Sequence, residues 1–223
     1  MQLDIMLDTA GFPMIWVAPL NGYLSWLPAT KIQLEYFLSA TNDTTFDEAW
    51  YYRVNEMNPR IAPGQVNSKN LFQTLVTGVL PNEARRYALW CGSHYDLMTV
   101  QEWGEAFDEL NKEPASPDYI RQITSRDGLR ERPKRLIEMM GQATKERAKT
   151  LAEQMLMRGG VIEYVYESLD RNSYEGQGVA HSELPGGGMR KPKELVKLNN
   201  KTEGTRMRQF GFRLLHRGRP SNG

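Results

Sequence analysis

The amino-acid sequence predicts an α+β fold with little regular secondary structure. Three short runs of β-branched and aromatic residues, at positions 13–18, 161–166 and 210–215, have the composition of strands, and segments with helical spacing of apolar residues lie between the first two. A chain of 223 residues, of which 40% are hydrophobic, can bury about 70% of the surface that its unfolded state exposes. We therefore expect a substantial core in spite of long irregular connections.

The first strand is predicted at residues 13–18, because PMIWVA is apolar and the turn-like sequence Leu20-Asn21-Gly22 follows it. A helix is predicted to begin after Thr30, since Thr30 and Gln33 have the spacing of a capping box, and to end near residue 40. Its apolar face would contain Ile32, Leu34, Tyr36, Phe37 and Leu38. Residues 42–65 are rich in Asn, Asp and Pro and are predicted to be mainly loop, with one helical turn near 46–52.

Two more helices are predicted from the residues at their ends. Pro81 is placed in the first turn of one helix and Gly92 at its end. Thr99 and Glu102 have the spacing of a capping box at the start of the other. The apolar residues at helical spacing are Ala84, Tyr87, Ala88 and Trp90 in the first helix, and Trp103, Ala106, Phe107 and Leu110 in the second.

Residues 117–157 are predicted to be helical and are highly charged. Their apolar stripe consists of Leu136, Met139, Met140, Ala143, Ala148, Leu151, Met155 and Leu156. We interpret the segment as an insertion: either a helical hairpin or lid that offers a docking surface, or a solvated helix that covers the core. The sequence then becomes strand-like at 161–166, rich in Gly, Asn and Ser through 188, and strand-like again at 210–215.

The charge of the chain is unevenly distributed, although its total is only +1. Residues 186–223 contain ten basic and two acidic residues, so this segment carries +8. The other 185 residues contain 18 basic and 25 acidic residues and carry −7. This division indicates an acidic partner, a phosphate-bearing ligand, or packing of the basic segment against the acidic body.

The sequence lacks the residues that several classes of function require. No run approaches the ~18 apolar residues of a membrane span, and the N-terminal segment is acidic where a secretory signal would be basic, so we expect a cytoplasmic protein. Cys91 is the single cysteine, and His94, His181 and His216 are the only histidines, which leaves no cluster with zinc-site spacing. The sequence also lacks a P-loop, a dinucleotide-binding glycine pattern and a Ser-His-Asp order.

Five segments, in chain order, are similar to motifs of one known family. They are PATKIQLEYF at 28–37, EARRYALWCG at 83–92, LMTVQEWGEA at 97–106, GVIEY at 160–164 and FGFRL at 210–214. The third resembles the family's LPTEAEWEYA and is the most specific. Together they resemble the formylglycine-generating enzyme (sulfatase-modifying factor) family. The resemblance implies a variant of the C-type lectin fold, formed as a single domain over about 12–217 with a basic tail at 218–223.

The residue types in these motifs also predict which side chains have a structural role. Tyr87, Trp90, Trp103 and Phe212 are large aromatic residues that can fill the core of a fold with little regular structure. Glu102 and Arg213 are expected to form an ion pair or to cap loops within this scaffold. Cys91 is expected to act as a small buried apolar residue.

The chain departs from the family where the enzymes carry out their chemistry. Those enzymes bind copper through two cysteines in the tract before the closing Gly-Phe-Arg, and the corresponding residues here, 190–209, include no cysteine. Other members bind calcium, but Gly160 replaces an Asn that supplies a ligand oxygen, while Glu163 is retained. We therefore expect no cofactor and no formylglycine-generating activity.

The resemblance implies a catalytically inactive recognition module that binds a protein partner in a bacterial or phage recognition or defence system. The predicted contact residues lie in the irregular basic region: Lys197, Asn199, Asn200, Lys201, Thr205, Arg206 and Arg208. One alternative is a metal- and oxygen-dependent oxidoreductase that uses His94 and His181, together with Asp96 or Glu163. The other is nucleic-acid binding through the basic segment, in which Phe210 and Phe212 are the only nearby rings.

Overall fold

The computed structural model describes residues 2–62, 65–66, 70–144, 148–156, 161–167, 174–177, 196–197 and 204–219. The helices are α1 (Lys31–Ala40), α2 (Glu48–Met57), α3 (Pro81–Cys91), α4 (Val100–Leu110), α5 (Pro117–Thr124), α6 (Glu131–Thr144) and α7 (Leu151–Met155). The strands are β1 (Ile5–Leu7), β2 (Pro13–Val17), β3 (Gly22–Ser25), β4 (Tyr95–Asp96), β5 (Ile162–Tyr166), β6 (Tyr174–Gln177), β7 (Val196–Lys197), β8 (Phe210–Gly211) and β9 (Leu215–Arg217). The predicted α+β class is confirmed.

Side-chain caps determine where several helices begin. Thr30 and Thr99 each accept a hydrogen bond from the backbone N–H three residues later, and Gln33 and Glu102 complete the two predicted capping boxes. The helix α2 is longer than the single turn predicted for this region. Asp47 caps its first turn, and the buried residues Trp50 and Val54 hold one of its faces against the core.

The strands form two sheets. The first has the order β1-β2-β3-β9-β4 and is antiparallel throughout, and the second has the order β7-β6-β5-β8, with β5 and β8 parallel. The strand predicted at 210–215 is in fact two strands, β8 and β9, which belong to different sheets. The chain changes sheets at Phe212-Arg213-Leu214, so these residues lie where the two sheets meet.

The core lies on both faces of the first sheet. Met14 and Ile15 are adjacent in β2 and point to opposite faces, as strand geometry requires. One face packs against α1, α2 and α3 and against the second sheet, and the other packs against α4 to α7. The predicted insertion at 117–157 therefore covers the core, to which it contributes Tyr119, Ile123, Leu136, Ile137, Met140, Leu151 and Met155.

The burial of the predicted aromatic residues is confirmed for three of four. Tyr87, Trp103 and Phe212 are each at most 2% exposed, whereas Trp90 is only partly buried. The predicted apolar face of α1 also differs, because Tyr36 is 38% exposed. Within the described residues, no helix has the length and apolar character needed to cross a bilayer.

Candidate functional site

The predicted contact residues lie on the connection from β5 to β8, residues 167–209, which we call the crossover. Lys197 belongs to β7, where its backbone pairs with Glu175 of β6. Asn199, Asn200 and Lys201, together with the side chain of Lys197, lie outside the part of the chain that the structure describes. The crossover thus contains β6 and β7, which lie on one side of β5 in the second sheet. It ends at β8, which pairs with the other side of β5.

The end of the crossover is described by the structure from residue 204 onward. Thr205 and Arg208 are exposed, and Arg206 between them is partly buried. Arg206 donates from Nη2 to Oε1 of Glu83 at 2.5 Å and from Nη1 to Oε2 of Glu83 at 2.7 Å. Nη1 also donates to the carbonyl oxygen of Gly78 at 2.9 Å. This bidentate pairing fixes the guanidinium of Arg206 in one orientation.

Glu83 is held from the other side by two donors of the scaffold. Trp50 donates its indole N–H to Oε1 of Glu83 at 2.7 Å, and the backbone N–H of Leu80 donates to Oε2 at 2.7 Å. The side chain of Glu83 is only 8% exposed. Arg206 is therefore attached to a carboxylate that α2 and the start of α3 have already positioned. Arg206 thus anchors the end of the crossover, and the ligand contact predicted for it stays a prediction.

A second Arg–Glu pair lies at the meeting point of the two sheets. Nε of Arg213 donates to Oε1 of Glu163 at 2.9 Å, and the indole N–H of Trp103 donates to Oε2 of Glu163 at 3.2 Å. The remaining donors of Arg213 reach the backbone carbonyls of Ser25, Trp26 and Met155 at 2.6–3.0 Å. Trp103, Glu163 and Arg213 are each at most 1% exposed.

This cluster joins three of the motifs that carry the family resemblance. Trp103 comes from the third motif, Glu163 from the fourth and Arg213 from the fifth. Glu102 does not pair with Arg213 but accepts the N–H of Thr99 at 2.8 Å and a hydrogen bond from Arg217 at 2.6 Å. The motif residues therefore build a framework, and Glu163 is occupied by Arg213 and Trp103.

The alternative oxidoreductase site was predicted at His94 and His181, and Cys91 was predicted to be a buried apolar residue. His94 is exposed, with its ring centroid 5.7 Å from that of His216, whose pKa is lowered by burial. His181 lies outside the described residues. Among the described residues, no group of three or more His, Cys, Asp or Glu side chains is arranged so that it could hold a metal ion. Cys91 is buried, and burial raises the pKa of its thiol, which keeps it protonated at neutral pH as expected for an apolar residue.

Two buried charged residues were not predicted from the sequence. Asp8 accepts the backbone N–H groups of Ala10 and Phe12 and, at 2.7 Å, the amide of Gln33, and burial raises its pKa to about 6. Lys31 donates to the carbonyl oxygen of Asn58, and burial lowers its pKa to about 8. The only sequence signal was the turn-forming Asp8-Thr-Ala-Gly11, which indicates a turn but not its burial.

No family model, curated protein or solved structure matches the chain. The similarity to the formylglycine-generating enzyme family thus stays a prediction from the five motifs. The fold itself defines an α+β scaffold that contains a buried polar cluster of Trp103, Glu163 and Arg213, and a long crossover whose end is anchored to Glu83.

Proposed function

We propose that the protein is a non-catalytic recognition module that binds a protein partner through its crossover. The observation that carries this proposal is the anchoring of Arg206 to Glu83 at the base of the crossover, with Thr205 and Arg208 exposed on either side. A long connection that is fastened to a rigid scaffold and presents polar side chains is the usual arrangement of a binding loop.

The interior of the scaffold supports a binding role rather than a catalytic one. Glu163 and Arg213 satisfy each other and are fully buried, so neither is available to a substrate. The thiol of Cys91 is also buried, and its raised pKa disfavours the thiolate that a nucleophile or a copper ligand needs. The resemblance to formylglycine-generating enzymes is thus proposed for the framework alone, in a bacterial or phage recognition or defence system.

The basic second half of the crossover supports a partner with an acidic surface. Residues 186–209 contain seven basic and two acidic residues and carry +5, and the proposed contacts in this region include two lysines and, with Arg206 as an anchor, one arginine. We propose Lys197, Asn199, Asn200, Lys201, Thr205 and Arg208 as the contact residues. Because Arg206 fixes the end of the crossover before binding, less conformational freedom is lost when the partner binds.

Affinity capture with matched charge reversals tests this function. The tagged protein is incubated with a native lysate along a salt ladder, with and without nuclease, and compared with Lys197→Glu/Arg208→Glu and with Arg53→Glu. Arg53 is exposed on α2 and serves as the control for added negative charge. We expect one protein to be retained in a stoichiometric, nuclease-resistant complex by the natural chain and the control, and lost from the double variant. Equal retention by all three chains would contradict the proposed surface.

Nucleic-acid binding is the second candidate, and the +8 segment is the observation that favours it. Phe210 and Phe212 are 3% and 1% exposed, so these rings are not available for stacking on bases. Binding would then be mainly electrostatic, and its affinity would fall steeply with salt. Nuclease-sensitive capture with that salt dependence would replace the protein-partner proposal.

A further inference from the structure

A second surface of the molecule has the composition of a binding site and contains none of the predicted contact residues of the crossover. It consists of Tyr36 on α1, Arg85, Leu89 and Trp90 on α3, and Arg130 just before α6, and we call it the α3 face. Leu89 is 53% exposed and Tyr36 38% exposed, and they are two of the three large hydrophobic residues exposed in the described part of the chain. Tyr, Trp and Arg are the residue types that dominate binding energy at protein interfaces.

The aromatic residues of the α3 face are held in place by their neighbours. The ring centroids of Tyr36 and Trp90 are 5.8 Å apart in an edge-to-face arrangement. Trp90 also packs against the rings of Phe37, at 5.0 Å, and Tyr87, at 5.9 Å. Arg130 places its guanidinium over the ring of Tyr36 at 5.7 Å. A surface whose side chains are already ordered loses little entropy when a ligand binds.

The charge of the α3 face is positive. Arg85 and Leu89 are one helical turn apart on the exposed side of α3, and Arg85 and Arg130 form no salt bridge within the described residues. Residues 126–135, which include Arg130, contain five basic and two acidic residues, although residues 1–185 as a whole carry −7. Basic side chains without carboxylate partners beside an exposed Leu are complementary to an acidic segment that contains an apolar residue.

We propose that the α3 face is a docking site for an acidic protein segment with an apolar anchor residue. The anchor packs on Leu89 and Trp90, and carboxylates on either side of it pair with Arg85 and Arg130. A protein segment fits better than a nucleic acid, because the face of Tyr36 is covered by Arg130 and Leu89 offers no ring for stacking. Arg85 is exposed two residues after the buried Glu83 that anchors the crossover, so the two proposed sites use different sides of α3.

Selection from a random peptide library displayed on phage, with the full chain as bait, tests the proposal. We expect the enriched peptides to carry Asp or Glu around a Leu, Phe or Trp. Their affinity, measured by fluorescence polarisation, should fall at least about tenfold with Arg130→Glu and with Leu89→Ser. Tyr52→Ser and Arg53→Glu are the matched controls, since both residues are exposed on the neighbouring helix α2. Neither control, nor Arg208→Glu in the crossover, should change the affinity.

Other outcomes would overturn the docking site. These are enriched peptides that are neutral or basic, peptides that bind all variants equally, and the absence of any enriched peptide. Oligothymidylate binding that is lost in Arg130→Glu would assign the face to nucleic acid. Self-association that is lost in Leu89→Ser would assign it to a second copy of the chain. Thermal unfolding of each variant distinguishes a lost contact from a lost fold, because all substituted side chains are exposed or partly exposed.

Discussion

The two Arg–Glu pairs of this protein use the same chemistry in different surroundings. The side chains of Arg213 and Glu163 are 0% and 2% exposed, whereas those of Arg206 and Glu83 are 19% and 8% exposed. Arg213 also donates to three backbone carbonyls from two separate parts of the chain, while among the described residues Arg206 donates to one, that of Gly78. The first pair therefore connects the elements of the core, and the second fastens one segment to a finished scaffold.

This difference leads to a general expectation about what each pair contributes. A fully buried pair owes much of its importance to the penalty of leaving one partner alone, because a single charge cannot be solvated there. A pair near the surface can exchange its partner for water and contributes less to stability. The loss of Arg213 should then affect the whole fold, and the loss of Arg206 mainly the crossover.

The largest effect is expected for Arg213→Met. This change leaves the carboxylate of Glu163 buried with only the indole N–H of Trp103, so the free energy of unfolding should fall by about 3–5 kcal/mol. Equilibrium unfolding in urea measures it. The double variant Glu163→Gln/Arg213→Met removes the stranded charge and should recover part of the loss. A loss below about 1 kcal/mol in the single variant would show that full burial does not make the first pair more important for stability.

Asp8 is a contrasting case, because its buried carboxyl group has no ionic partner among the described residues. Burial raises its pKa from 3.8 to about 6, so the neutral form contributes stability that is complete below pH ~4 and is lost as the pH rises through about 6. Asp8→Asn does not titrate. Relative to the natural chain, the variant should therefore gain up to about 3 kcal/mol between pH ~4 and pH ~7. Urea unfolding across this range measures the change, and a constant difference would contradict it.

Lys31 provides the corresponding case for a buried cation. It is the first residue of α1, where the helix dipole disfavours positive charge, and burial lowers its pKa from 10.5 to about 8. The natural chain should gain stability relative to Lys31→Met as the pH rises from about 8 to 10.5, by about 2 kcal/mol after solvent screening is considered. Thermal unfolding at several alkaline pH values tests this, with Lys134→Met as an exposed control.

The smallest effect on stability is expected for Arg206→Met. Glu83 keeps the hydrogen bonds from Trp50 and Leu80, so the free energy of unfolding should fall by about 1 kcal/mol. Protease cleavage within 167–209, however, should become faster, because the end of the crossover loses its anchor. A loss of stability as large as that of Arg213→Met would show that the two pairs do not differ in role.

The elements predicted correctly are those with signals close together in the sequence. The starts of α1 and α4 follow from capping residues three positions apart, and the end of α3 follows from Gly92. The extent of α2 was missed, because the Asn, Asp and Pro around it are typical of loops and its burial depends on distant partners. Likewise, nothing local divides 210–215 into strands of two sheets.

The candidate site was harder to predict, because its residues meet across long distances in the chain. Arg206 and Glu83 are 123 residues apart, and Arg213 and Glu163 are 50 apart. The sequence predicted Arg206 as a contact residue of the irregular basic region, but only the tertiary structure shows that its guanidinium pairs with the carboxylate of Glu83. The burial of Asp8 and Lys31 likewise depends on packing that no short motif encodes.

Gly211 marks the position where the crossover rejoins the scaffold. A Cβ atom there would collide with the carbonyl oxygen of Val76 and lie 2.8 Å from Cγ1 of Val161, so no larger residue fits without a shift of the backbone. Together with the anchor at Arg206, this close contact fixes the end of the crossover at two points five positions apart. On the proposed binding role, substitutions at the exposed Thr205 and Arg208 would change the contact surface without moving either of these two points.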